Sequence, residues 1–210
     1  MMRKAGFALI LVGILLIFGA AGLQMHNRRE AEQAAQHVEA LIPQVVEKIE
    51  ERQEAQQTMP TETLPPFLPE PTLDPQREMP VEVIDGYNYI GCLTIPALAL
   101  ELPIMGDWTY PQLQIAPCRY TGSLYQNDLV LMAHNYDKHF GRIDELRPGD
   151  VLSFTDMDGL TVEFEVVALD ILQPTAIEEM TAGEYDLTLF TCTYGGKSRV
   201  TLRCMQAESE

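Results

Sequence analysis

The chain changes its hydrophobic pattern three times. From Ala5 to Leu23, AGFALILVGILLIFGAAGL, no residue is charged. The run is close to the roughly 20 apolar residues a helix needs to cross a bilayer. Met1-Met2-Arg3-Lys4 places positive charge before it, which argues for an N-terminus on the inside; Arg28 and Arg29 beyond it weaken that argument. Gly19-Ala20-Ala21-Gly22 supplies the small residues of a cleavage site, but the run exceeds the roughly 7–15 residues of a signal-peptide core. The expectation is an uncleaved transmembrane anchor over 1–26. Anchor or signal peptide, the segment exports the rest of the chain.

From Asn27 to Gln57 the pattern is polar, rich in the helix formers Ala, Glu, Gln and Arg. Val38, Leu41, Ile42, Val45, Val46 and Ile49 form a thin apolar stripe at helical spacing. Pro43 interrupts it and predicts two helical pieces or one kinked helix, acting as a juxtamembrane stalk or resting on the next domain. The segment 58–80 holds seven prolines and reads as an extended, semi-rigid linker. At ~3.1 Å per residue it reaches on the order of 70 Å, a spacer that lifts a domain off the membrane.

From Val81 onward the pattern becomes that of short strands: Tyr87–Pro96, Ala97–Met105, Asp128–His134, Asp150–Asp156, Leu160–Leu172, LTLFTC and SRVTLRC. They alternate or run apolar between Gly, Pro, Asn and Asp turns. Trp108–Ile115 and Phe140–Leu146 look helical, and Ala176–Met180 reads as a turn or short helix. The expectation for 81–210 is mainly β: a mostly antiparallel barrel or sandwich with short helices.

Charge and cysteine count narrow the function. The net charge is −17, most of it in this last segment, so nucleic acid and anionic lipid are excluded as its ligands. The four cysteines, Cys92, Cys118, Cys192 and Cys204, have neither zinc-site spacing nor the density of a disulfide framework. Cys92 and Cys204 read as core thiols. A Cys92–Cys118 disulfide stays open.

Cys192 ends a strand, and Arg199 opens the next one across the turn TYGGKS. A hairpin there puts the two side by side. His134 ends the strand LVLMAH, where a barrel rim presents it; His139 sits in the following polar loop. A thiol needs a base or a cation nearby to become a good nucleophile, and an arginine can hold a developing oxyanion. The three residue types together suit acyl transfer through a thioester. Read as packing alone, Cys192 is a small buried hydrophobe. Arg203, four residues beyond Arg199, reads as a surface charge, and Trp108 and Tyr110 as packing residues. Glu178 and Glu179 do not suffice for a metal site, so no metal or cofactor is expected.

The segment TLFTC, Thr188–Cys192, resembles the TLxTC signature of sortases. LVLMAHNYDKHFGRIDEL, Leu129–Leu146, resembles the segment around the sortase histidine. YIGCLTIPALALELPIM, Tyr89–Met105, resembles the opening strands. The similarity covers roughly 86–205. It implies a closed, mostly antiparallel barrel. It implies Cys192 as nucleophile, His134 as acid/base and Arg199 as oxyanion and substrate support. Thr191 and Tyr194 would position or line the substrate. It further implies cleavage of an LPxTG-like sorting signal on surface proteins and transfer to a cell-wall or pilin amine, by an enzyme tethered by one transmembrane helix with its catalytic domain outside the cell. Asp74-Pro75 followed by Gln76 departs from the aromatic lid of pilin-joining members. The His-Asn…Phe pattern leans toward class B, and the class stays open. The alternative is a non-catalytic, membrane-tethered binding domain on the same barrel.

Overall fold

The computed structural model describes residues 2–57 and 74–207. Helix α1 runs without interruption from Met2 to Gln57. Nine strands come after it: β1 (Glu82–Ile84), β2 (Tyr87–Ile95), β3 (Leu100–Met105), β4 (Cys118–Thr121), β5 (Leu129–Met132), β6 (Val151–Asp156), β7 (Thr161–Leu172), β8 (Leu187–Cys192) and β9 (Arg199–Gln206). Two short helices, α2 (Tyr110–Leu113) and α3 (Ile177–Met180), lie between them.

The sheet order is β1-β2-β3-β4-β5-β8-β9-β7-β6, and β6 pairs back onto β2. Eight strands therefore close into a barrel, with β1 as an extra hairpin arm on β2. Closure depends on Gly91. It sits at a register shift in β2 with φ near +151°, and a Cβ there would lie 2.1 Å from the Thr155 carbonyl oxygen on β6. Only glycine lets the two backbones meet so closely. Most neighbours are antiparallel, but β3–β4 and β5–β8 are parallel. Strands β1 and β4 are invisible in the sequence pattern because three- and four-residue strands carry too little alternation to detect.

The inward residues of alternate positions, among them Leu93, Leu102, Leu131, Phe154, Phe164, Leu189 and Leu202, fill the barrel. At the bottom of this core Asp156 is fully buried and takes a short hydrogen bond from the Tyr125 hydroxyl. Its other oxygen accepts from the backbone N–H groups of Asp158 and Leu160, which fixes the β6–β7 hairpin.

The apolar stripe of α1 lies on the barrel. Ala34, Val38, Leu41, Val45 and Ile49 are buried there, Val38 against the main core and the last three against Tyr89, Met105 and Met157. Burial of these side chains is worth on the order of 10 kcal/mol in transfer terms, an upper bound. Pro43 removes one helical hydrogen bond, yet the helix continues through it, because the stripe is buried against the barrel on both sides. Arg52 closes the contact with hydrogen bonds of 2.8 and 2.5 Å to Asp158. Upstream, the residues from Ile10 to Leu23 are almost wholly exposed, and the stretch is long and apolar enough to cross a membrane.

The Pro-rich segment 58–80 falls largely outside the described residues. At its described end, Arg77 reaches the same Asp158 that Arg52 holds and lies over the Tyr125 ring, 4.9 Å from its centre. The end of α1 and the end of the Pro-rich segment are thus fastened to one carboxylate.

Candidate active site

The site arises from one topological fact. Strands β5 and β8 are parallel, so their C-terminal ends emerge at the same rim. Met132 is level with Phe190. Beyond that pair the Ala133 N–H still bonds the Phe190 carbonyl at 3.3 Å, and the two chains run on to His134 and Cys192 at the same end of the barrel. By alternation, Val130 and Met132 share the outer face with Thr188, Phe190 and Cys192, while Leu131 and Leu189 face the core. The Thr191 hydroxyl donates to the Ala133 carbonyl at 2.8 Å. Thr191 is buried, so its side chain clamps the histidine strand to the cysteine strand rather than facing the groove.

Arg199 pairs directly with Cys192 across the β8–β9 hairpin. The turn between them carries Gly195 and Gly196 at φ of +81° and +71°, a left-handed pair that other residues adopt only with strain. Ser198 N–H donates to the Thr193 hydroxyl, and Gly196 N–H to the Thr193 carbonyl. The Arg199 guanidinium bonds the carbonyls of Gly196 and Ser198 at 3.3 and 3.2 Å. Among the described residues it makes no ion pair.

Cys192 is half-buried, the other three cysteines are buried, and all four are free thiols. Burial pushes each of Cys92, Cys118 and Cys204 up to about 12, with Glu101 adding to the effect at Cys92. The open Cys92–Cys118 question is settled: both are free thiols.

His134 is half-buried, and its burial lowers its pKa while Glu30 of α1 opposes the shift. Its ring lies 5.0 Å from that of Tyr136, and the Tyr136 ring lies 5.4 Å from that of His139. His139 lies in the loop expected for it, but it is fully buried there. Burial first, then the neighbouring His134, push it down to about 4. A histidine in an unfolded chain titrates near 6.5. The folded protein therefore keeps its full stability above about 6.5 and loses it as the pH falls toward 4. His139 accounts for a loss on the order of 3 kcal/mol across that window. Denaturant midpoints measured from pH 7 to 4 should fall less steeply in His139→Phe than in the parent chain.

The outer face before Cys192 is an apolar floor. Val130, Met180 and Phe190 are buried together, with Tyr120, Met132 and Leu172 packed against them. An aromatic row extends it: Phe190 meets Tyr120 edge-on at 5.3 Å, and Tyr120 stacks on Trp108 at 5.9 Å. Trp108 and Tyr110 are 40% and 75% exposed, so both are surface residues at the end of this row rather than core. A groove of about 510 Å3 opens beside Trp108, Asp107, Arg119 and Tyr120.

Arg203 departs furthest from its expected place. It is 3% exposed, not a surface charge. Its guanidinium donates to the carbonyls of Glu179 and Met180 at 2.5 and 3.2 Å, to the Thr188 hydroxyl and to Asp170, and it lies over Tyr185. One side chain thus pins the connection 173–186, including α3, over the floor. Arg203→Met should destabilise the fold by on the order of 2–3 kcal/mol and raise KM for a peptide donor more than it lowers kcat. Thermal unfolding and steady-state kinetics check both.

Beyond Cys192 and His134 the rim opens into a second cleft of about 630 Å3, lined by His134, Asn135, Tyr136, Asp137, Tyr194 and Gly195 and by Gln24, Asn27, Arg28, Glu30 and Ala31 of α1. Tyr194 is 96% exposed at its edge. Nothing in the local pattern of the membrane-proximal residues shows that they return to this rim, so sequence reasoning misses them. A thiol, an imidazole and an unpaired guanidinium at one rim, between an apolar floor and a polar cleft, can perform acyl transfer.

The sequence model of the sortase domain matches residues 93–207, more than half of the chain. No curated protein matches it. Sortase C of Streptococcus pneumoniae superposes with a TM-score of 0.56 at 20% identity, over 82% of this chain and 96% of that one. A sortase D5 transpeptidase of Clostridium perfringens gives 0.56 at 16% identity, over 84% and 99%. At those identities the structures share the fold, and the domain match carries the membership: the chain belongs to the sortase family of cysteine transpeptidases.

Proposed function

We propose that this sortase cleaves an LPxTG-like sorting signal on exported proteins between Thr and Gly and transfers the new acyl end to a cell-wall or pilin amine. The reading is supported by the pairing of Cys192 with Arg199 across the hairpin and by the parallel course of the strands that lead to Cys192 and His134. The apolar floor of Val130, Met180 and Phe190 suits the Leu-Pro end of such a signal.

In this reading the Cys192 thiolate attacks the threonine carbonyl carbon, and Arg199 hydrogen-bonds the oxyanion that forms. The C–N bond breaks as the His134 imidazolium gives its proton to the leaving glycine amine, leaving a thioester. The acceptor amine then attacks the same carbonyl, its nitrogen lone pair forms the new amide, and the C–S bond breaks to return the Cys192 thiolate. Of the two protons an ammonium acceptor loses, one returns to His134 and one goes to water. Thr191 positions the two strands, and Tyr194 borders the acceptor side.

The apolar start of α1 serves as a single-pass anchor with the barrel outside the cell. We divide the chain into an anchor over 1–26, a helix over 27–57, a Pro-rich segment over 58–80 and a catalytic domain over 81–210. The hydrogen bonds of the described Asp74–Met79 stretch go to the Tyr125–Asp158 side and involve none of Cys192, His134 or Arg199, so this stretch is not a lid on the rim. The test is a panel of LPxTG-like and NPxTG-like peptides given to the full chain in detergent with glycine or diamine acceptors. Ligated product from one motif supports the reading and names the signal; cleavage of none opposes it.

A further inference from the structure

The polar cleft beyond Cys192 has one wall from the barrel and one from α1, and that second wall is firmly placed. Ala34 and Val38, one and two turns after Glu30, are buried against the domain. Glu30 is therefore held in a fixed relation to His134. Its side chain is only 34% exposed, and its charge acts on both His134 and Tyr136. Strands β5 and β8 lead from the apolar floor to this cleft, and Cys192 and His134 mark the boundary. The two sides thus differ in chemistry: one fits a hydrophobic peptide, the other a polar, charged group.

We propose that this cleft is the entrance for the acyl acceptor and that Glu30 is the acceptor-specificity residue, receiving the ammonium group of the incoming amine. The proposal rests on the transpeptidase reading above. A primary alkylamine titrates near 10.4 and arrives at neutral pH as an ammonium ion, which must shed water and then a proton before it attacks. A partly buried carboxylate beside the base lowers the cost of the first step and leaves the second to His134. Asp137 adds a second carboxylate to the cleft, while Arg28 on the same wall opposes them. His26 lies 3.3 Å from Glu30 and weakens its charge when protonated. Tyr194 and Gly195 of the cleft lie between Cys192 and Arg199 in the β8–β9 turn.

The experiment uses the full chain in detergent, acylated with a donor peptide and then chased with one of two nucleophiles. 1,6-Diaminohexane is cationic near neutral pH, and hydroxylamine is uncharged there. Glu30→Gln should lower kcat/KM for the diamine about tenfold more than it lowers either the hydroxylamine rate or the rate of thioester formation. Glu30→Asp should keep part of the diamine rate. Equal effects on both nucleophiles, or none on either, would overturn the assignment of Glu30 and leave the transpeptidase reading intact. A parent chain that forms no thioester would overturn both.

Discussion

Cys192→Ala should lose turnover by on the order of 10⁴–10⁶ in kcat, because no other group at the rim can carry the acyl chain. Its unfolding free energy should stay within about 1 kcal/mol of the parent, since Cys192 is half-buried at a strand end and contributes little packing. The same geometry predicts selective alkylation. Cys92, Cys118 and Cys204 are buried, with thiols pushed up to about 12, so they hold almost no thiolate at neutral pH. Iodoacetamide on the folded chain should label Cys192 alone, and peptide mapping reads this directly. Labelling of a buried cysteine at an equal rate would mean that the barrel opens or that Cys192 is an ordinary surface thiol, as a non-catalytic binding domain would have it.

Arg199→Met should cost about 10²–10³ in kcat, the usual loss on removing a charged donor from a developing oxyanion. The residue sits directly opposite Cys192, and among the described residues no carboxylate neutralises it. Its Nη1 group bonds the turn carbonyls of Gly196 and Ser198, which leaves the other guanidinium N–H groups to donate to substrate. Arg199→Lys should recover only part of the rate, because an ammonium keeps the charge but loses the planar fork. Steady-state kinetics with one donor peptide compares the three. A loss below about tenfold in Arg199→Met would remove the oxyanion role.

Much of the site is readable from local sequence. The strand LTLFTC, the glycine-containing turn and the strand from Arg199 specify a hairpin, and a hairpin fixes which residue faces Cys192. The strand ending at His134 is also visible. What local pattern does not show is that this strand runs parallel to the cysteine strand, since strand order is a property of the whole barrel. The same limit explains Arg203. An arginine in alternating sequence reads as exposed, and only the return of the 173–186 connection over it supplies the carbonyls that bury it. Glu30 belongs to this class too: it stands more than 100 positions before His134 and meets it through the docking of α1. That docking is half legible, as a stripe at helical spacing with a proline in it. The stripe is buried on both sides of Pro43, and the packing keeps the helix continuous.

The most direct test of the account is the intact mass of the full chain after a brief reaction with a cleavable donor peptide. The account predicts an adduct equal to the acyl fragment, mapped to Cys192, absent from Cys192→Ala and released when an amine is added. Turnover of the peptide without that adduct, or with the adduct on another residue, would contradict it.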